Sequence, residues 1–298
     1  MKKSGVVILY KEEGISSQSA VNRLKRLLNA DKAGHTGTLD PLATGVLPIL
    51  VGRAVKASEY LTSEHKHYGA TLLLGIRTDT EDVTGAVLER SDNIPSEQQV
   101  ATAIENMRGE SMQTPPMYSA IKVGGKKLYD LARSGITVER EARKITVYDI
   151  KYEKLSEREY FLDVRCSKGT YIRTLCADIG EALGCGAAMK TLERLSAGNY
   201  TKDMAHTLSE IENMTEEERD KIILPTEDIF SDLRSVTLPP FFARLARCGV
   251  EIYLHKISFT GKTGERIRLY DGTGFFALGE IRVFEGGEAI KPIKQFDV

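Results

Sequence analysis

Asp40 lies in the segment AGHTGTLDPLATGVLPILVG, where Gly34, Gly37, Pro41, Gly45, Pro48 and Gly52 interrupt any single long helix or strand. The segment reads as a shaped loop, and Leu39, Leu42, Val46, Leu47, Ile49 and Leu50 are apolar enough to anchor it in the core. A carboxylate fixed in this way can act as a nucleophile if something keeps it ionised. Arg173 stands in the first turn of a predicted amphipathic helix, off its apolar stripe, where the helix dipole disfavours a cation and calls for a carboxylate partner. Other chemistries lack their residues. GHTGTLDP has no lysine-hydroxyl pair of the P-loop type, GKTGER has its lysine out of place, and neither G-x-S-x-G nor H-E-x-x-H occurs. Cys166, Cys176, Cys185 and Cys248 show no metal-ligand spacing and read as reduced core residues.

The elements that must position these groups follow from periodicity. Val6 to Tyr10 reads as a buried strand, and Ser16 or Ser17 caps a helix whose Val21, Leu24, Leu27 and Leu28 share a face. Tyr68 to Leu74 reads as a strand ending at Gly75, followed by the turn-rich, acidic RTDTEDVTG. Pro95-Ser96 opens a helix lined by Val100, Ile104 and Met107. QTPPMYSAIKVGGKKLYDLARSG reads as an extended loop entering a short helix near Leu128. The alternation of Tyr160, Leu162, Val164 and Cys166 predicts a strand, and Ile172, Leu175, Cys176, Ile179 and Leu183 predict a helix stopped by Gly184.

The chain of 298 residues has 41 Lys+Arg and 42 Asp+Glu, a net charge of −1. Bulk positive charge is therefore excluded as a way of holding nucleic acid, but a local basic surface is not. From Tyr118 to Lys144 seven basic residues face three acids, which makes that stretch a candidate phosphate-binding surface. The length suits one large unit and one small one. The segment from Leu208 to Asp232 is acidic and helical in character and, with Pro239-Pro240, reads as a linker region, followed by short glycine-separated strands, clearest at Phe275, Ala277, Gly279, Ile281 and Val283. No apolar run is long enough to span a bilayer and the start has no signal-peptide pattern, so a cytoplasmic protein is expected.

GHTGTLDPLATGVLPI at 34 to 49 resembles the catalytic signature of the TruB family of bacterial tRNA pseudouridine synthases. The resemblance extends through Tyr68 and the LG-x-x-T-D-T-x-D-x-x-G pattern ending at Gly85, then QTPPMYSAIKVGGKKLYDLAR from Gln113, GTYIRTL from Gly169 and LERLSAGNY from Leu192. It covers most of residues 5 to 200, and the carboxy-terminal segment is similar in size and position to the family's PUA domain. One departure is visible. Where the family reads K-P-x-G-x-T/S-S, this chain has Lys11-Glu12-Glu13-Gly14-Ile15-Ser16-Ser17, a loss of local stiffness expected to leave the catalytic positions untouched.

The resemblance implies isomerisation of uridine 55 in the tRNA T loop, with Asp40 as nucleophile, Arg173 as its partner gripping both carboxylate oxygens, and Tyr68 stacking on the uracil. It also implies that His35 works against the T-loop RNA when the target nucleotide flips, that Tyr171 and Leu195 line the pocket, and that Asp82 supports the site. Lys122, Lys126 and Lys127 are the candidate phosphate contacts. The reaction breaks a carbon–nitrogen glycosidic bond, turns the uracil and joins its C5 to the same ribose carbon. It needs no redox change, group donor, metal or cofactor. Whether Asp40 adds to the ribose, helps remove a sugar proton or adds to the base stays open.

The expected architecture is α/β (α+β): a mixed-sheet pseudouridine synthase domain over 1–233 and a small PUA-like β domain over 234–298. The expected partner is the T stem-loop of tRNA, with no membrane, no obligate protein partner and a monomeric state. Two other readings are a guide-RNA-dependent relative that shares the Asp40 motif and a non-catalytic tRNA-binding or folding factor. The first would need a guide; the second would be expected to lack Asp40, Tyr68 or Arg173, all of which are present.

Overall fold

The computed structural model describes residues 3–61, 65–119 and 121–296. Its centre is a mixed sheet whose main path runs Gly5–Lys11, Thr44–Val51, Ala187–Ala197, Lys66–Leu74, Glu159–Cys166, Arg143–Lys154, Gly109–Gln113. Thr44–Val51 and Ala187–Ala197 run parallel, with Arg194 opposite Gly45, while the other neighbours on this path run antiparallel. Helices Ser17–Leu27, Glu97–Glu105 and Ile172–Ala182 supply Val21, Leu24, Val100, Ile104, Leu175 and Ile179 to one apolar core with Tyr68, Ala70 and Leu72 of the central strand. Burial of this face is the main stabilising contribution. Ser16 caps the first helix by accepting from Ser19 N, and Ser96 forms a capping box with Gln99.

Several elements differ from the sequence reading. The glycine- and proline-rich stretch is a loop only between two strands, Ala33–His35 and Thr44–Val51. Pro48 is accommodated opposite Ile8, and its carbonyl accepts from Thr36 N at 3.3 Å. Arg143–Lys154, twelve residues long, is a strand that alternation does not pick out because much of it is solvent-facing. Lys122–Val123 and Lys126–Lys127 form a small hairpin before helix Leu128–Arg133. The acidic stretch is not a free linker. It holds two short capped helices, Leu208–Asn213 and Glu216–Lys221, and Leu208 and Ile211 pack in the main core. Leu224 then exchanges backbone hydrogen bonds with Val6. Cys166, Cys176 and Cys185 are buried free thiols, but Cys248 is exposed.

A second sheet, Ser235–Thr237, Arg266–Asp271, Gly274–Phe284, Gly287–Gln295 and Ile252–Tyr253 in spatial order, carries its own core around Leu269, Phe276, Ile281 and Ile290. Helix Pro240–Arg247 covers part of it. Phe230, Leu278 and Phe296 join Ala57 in a small apolar cluster between the two sheets, flanked by the Lys294–Glu59 ion pair at 2.9 Å. Among the described residues no helix is long and apolar enough to cross a membrane.

Candidate active site

The Asp40 loop is held from beneath by the amino-terminal segment. Ser17 Oγ accepts from Leu39 N and donates to Leu39 O, both at 2.8 Å, while Gly14 N donates to Pro41 O at 2.9 Å. Lys11, fully buried, donates from Nζ to the carbonyls of Ile15 (2.8 Å), Glu12 (2.9 Å) and Pro41 (3.3 Å). Residues on both sides of Asp40 are therefore fixed by Lys11-Glu12-Glu13-Gly14-Ile15-Ser16-Ser17. The substituted position itself, Glu12, is exposed. At the far end of the loop Gly45 has φ +107°, and a β-carbon there would lie 2.3 Å from the carbonyl oxygen of Arg194. Only glycine fits that crossing.

Arg173 Nε lies 3.0 Å from Asp40 Oδ2, with 5% of the Arg173 side chain and 34% of the Asp40 side chain exposed. The arginine is buried although it lies off the helix's apolar stripe, and it has the carboxylate partner that its place in the first turn calls for. Nor does it grip both Asp40 oxygens. Nη1 donates to Thr80 O at 3.1 Å and lies 3.6 Å from Asp82 Oδ2, while Nη2 donates to Tyr118 O at 2.7 Å. One guanidinium thus ties the Asp40 loop to two other segments. Asp82 is in turn fixed by Thr80 Oγ1 (2.8 Å), Thr84 N (2.9 Å) and Thr84 Oγ1 (2.5 Å).

Burial pushes the Asp40 carboxyl above the usual range even though a third of the side chain reaches solvent; Arg173 opposes this, Asp82 adds to it and Lys11 opposes it. Tyr68 is buried on the central strand, its phenol pushed up by burial and held back by Arg194. Tyr171 caps the helix that carries Arg173, and the Gln113 side chain locks it by accepting from Tyr171 N (2.8 Å) and donating to Tyr171 O (3.1 Å). Burial also raises the Tyr171 phenol, which feels both Arg173 and Asp40. Arg173, Asp82, Tyr68 and Tyr171 are thus each brought within electrostatic reach of Asp40.

Other sequence candidates stand elsewhere. His35 is half-buried at the end of the strand that leads into the Asp40 loop. Leu195 Cδ1 is 3.9 Å from where a β-carbon on Gly69 would lie, beside Phe161, and because Gly69 alternates with Tyr68 this is the other face of the sheet. Leu192 shares the Tyr68 core instead. Its signal was present in LERLSAGNY, but the register shift between Arg194 and Ser196 hides which leucine faces inward. Lys126 is exposed on the hairpin, whereas the side chains of Lys122 and Lys127 lie outside the described residues. The basic stretch is partly neutralised, since Lys144 pairs with Glu110 at 3.0 Å. Lys11, Gln113 and Arg194 also hold the site; each lies within a motif of the resemblance, but the sequence reading assigned none of them a role.

Lys11 gives one measurable consequence. Burial lowers its pKa from the usual 10.5 to about 8, with Asp40 partly offsetting the shift. The unfolded chain then binds more protons than the folded one between pH 8 and 10.5, so this group's contribution to stability rises with pH across that window. In denaturant unfolding, the stability of wild type relative to Lys11→Met is expected to increase by roughly 2–3 kcal/mol over that range. A difference independent of pH would contradict the assignment.

Comparison with known proteins places this arrangement in a class. The family model described as TruB family pseudouridylate synthase (N terminal domain) matches residues 25–172, and that of the tRNA pseudouridylate synthase B C-terminal domain matches 173–231. The chain is 42% identical over 289 residues to the tRNA pseudouridine synthase B of Clostridium tetani, covering 97% of this chain and 99% of the relative. It is 46% identical over 239 residues to the protein of that name from Actinobacillus pleuropneumoniae, covering 78% of each. The solved structure described as "Crystal Structure of a Cbf5-Nop10-Gar1 Complex" superposes with a TM-score of 0.74 at 28% identity, covering 98% of this chain and 84% of that one. The chain belongs to the TruB family of pseudouridylate synthases.

Proposed function

We propose that this protein converts uridine 55 in the T loop of tRNA to pseudouridine, with Asp40 as the nucleophile. The observation that carries the reading is the Asp40–Arg173 pair: a loop-held carboxylate, open to solvent on one side and backed by a buried guanidinium. Burial alone would favour the neutral acid, and the cation opposes that. In the reaction the C1′–N1 bond breaks and a C1′–C5 bond forms, while the proton on C5 is lost and N1 gains one. Attack by Asp40 at the ribose and attack at the base both require its ionised form. Tyr68 offers an aromatic face to the turning uracil, and Tyr171 and Asp82 support the pocket, as sequence similarity suggests. His35 acts on the RNA as the target nucleotide leaves the loop.

We also propose 1–233 as the catalytic domain and 234–298 as the PUA-like RNA-binding domain. The enzyme acts as a monomer without an obligate protein partner. Release of tritium from a T-stem-loop RNA carrying [5-³H]uridine, with no guide RNA present, tests the chemistry. Tritium release by wild type supports the reading, and its absence would favour the guide-dependent or non-catalytic alternatives.

Lys126, with Lys122 and Lys127, contacts RNA phosphates in this reading. Neutralising all three is expected to weaken tRNA binding and reduce the slope of log affinity against log salt by about 0.7–0.9 for each phosphate that no longer meets a cation. An unchanged slope in a binding titration would remove these lysines from the interface.

A further inference from the structure

Arg194 is 1% exposed and is among the largest fully buried side chains in the protein. Among the described residues no carboxylate pairs with it. The adjacent acid, Glu193, accepts instead from Lys202 (2.6 Å) and from the Tyr10 hydroxyl (2.9 Å). A buried guanidinium without a counter-charge is expensive, and an apolar side chain would fill the same volume at lower cost. Its donors, however, have specific acceptors. Nε donates to Val46 O at 2.6 Å and Nη2 to Gly37 O at 3.1 Å. Gly37 stands near the start of the loop that carries Asp40, and Val46 lies in the strand Thr44–Val51 that leaves it. The same side chain lies close enough to the Tyr68 phenol to oppose the rise that burial gives it, and Arg194 lies opposite Tyr68 in the sheet register. It does not pair with Asp40, whose nearby cations are Arg173 and Lys11.

We propose that Arg194 is a positioning residue whose side chain ties the start of the Asp40 loop to the strand that leaves it and so fixes the depth at which the carboxylate meets the substrate. This rests on the role given to Asp40 above. Ser17, Gly14 and Lys11 hold the middle of the loop, and Arg194 holds its start and the strand after it. Lysine keeps the charge but cannot donate through a planar fork to two carbonyls that lie on either side of the loop. Methionine keeps the length and donates to neither.

The test uses the full-length chain with Arg194→Lys and, separately, Arg194→Met. Amide hydrogen exchange without RNA reads the tie directly. Residues 37–46 are expected to exchange at least about tenfold faster in Arg194→Lys, while the strand Lys66–Leu74 keeps its protection. With a T-stem-loop RNA, the single-turnover rate of Arg194→Lys is expected to fall about 100-fold while the Kd for RNA stays within about threefold, and Arg194→Met is expected to be slower still. If Arg194→Met does not fold, Arg194→Lys decides alone. Unchanged loop exchange, or a rate within about threefold of wild type in folded Arg194→Lys, would overturn the proposal. Loss of protection spread over the whole sheet would also overturn it, by making Arg194 a general core residue. If the wild-type chain forms no pseudouridine, the functional reading fails, but the exchange comparison still decides whether Arg194 ties the loop.

Discussion

Asp40→Asn is expected to lower the single-turnover rate of pseudouridine formation by more than about 10⁴-fold while leaving the affinity for a T-stem-loop RNA largely intact. The amide matches the carboxylate in size, so the backbone hydrogen bonds through Leu39 and Pro41, and the one that Ala43 N donates to Asp40 O, do not depend on the change. What disappears is the negative charge beside Arg173, which the proposed chemistry uses as its nucleophile. The preparation must be free of deamidated protein, which would restore aspartate. Appreciable product from the pure variant would remove Asp40 from the chemistry.

Arg173 has the second-largest expected effect, and its two substitutions separate geometry from charge. Arg173→Lys keeps a cation near Asp40 but cannot also reach Thr80 O and Tyr118 O, so the three segments that meet at the site lose their common tie. A rate loss of about 10²-fold with RNA binding retained is expected. Arg173→Met leaves Asp40 and the buried Asp82 without their cation, and a loss of about 10³-fold or more is expected. The pH profile carries the sign. Burial already raises the Asp40 carboxyl and Arg173 opposes that, so removing the cation moves the pKa further up. The ionised form then appears at higher pH, and the acid limb of the single-turnover profile shifts upward in Arg173→Met. Thermal melts check that both variants fold. A wild-type rate in Arg173→Lys with an unmoved limb in Arg173→Met would show that Asp40 does not rely on this arginine.

Periodicity is a good guide where one face of an element is buried and the other is not. The strand around Tyr68 and the helix Ile172–Ala182 are therefore legible, as are the capping serines at 16 and 96. The reading fails where tertiary contacts override local preference. Gly45 and Pro48 look like loop residues, yet the strand Thr44–Val51 forms because neighbours on both sides satisfy its backbone. The position of Arg173 in the first turn calls for a carboxylate partner, but not for its burial or its bonds to Thr80 O and Tyr118 O, which distant segments supply. Arg194 looks like an ordinary charge in LERLSAGNY because its acceptors are backbone carbonyls about 150 positions earlier, which no local pattern encodes. The choice between Leu192 and Leu195 turns on one register shift that sequence alternation does not reveal. Similarity to a family supplied the proposed catalytic positions, and geometry added residues that hold the Asp40 loop and the Arg173 helix: Ser17, Lys11, Gln113 and Arg194.

The most direct measurement is site mapping of pseudouridine in a full-length, unmodified tRNA transcript after incubation with the purified chain and no guide RNA, with Asp40→Asn in parallel. The account predicts stoichiometric pseudouridine at position 55 alone with wild type and none with Asp40→Asn. Product at another position, product from the variant, or an unmodified transcript after tight binding by wild type would contradict it.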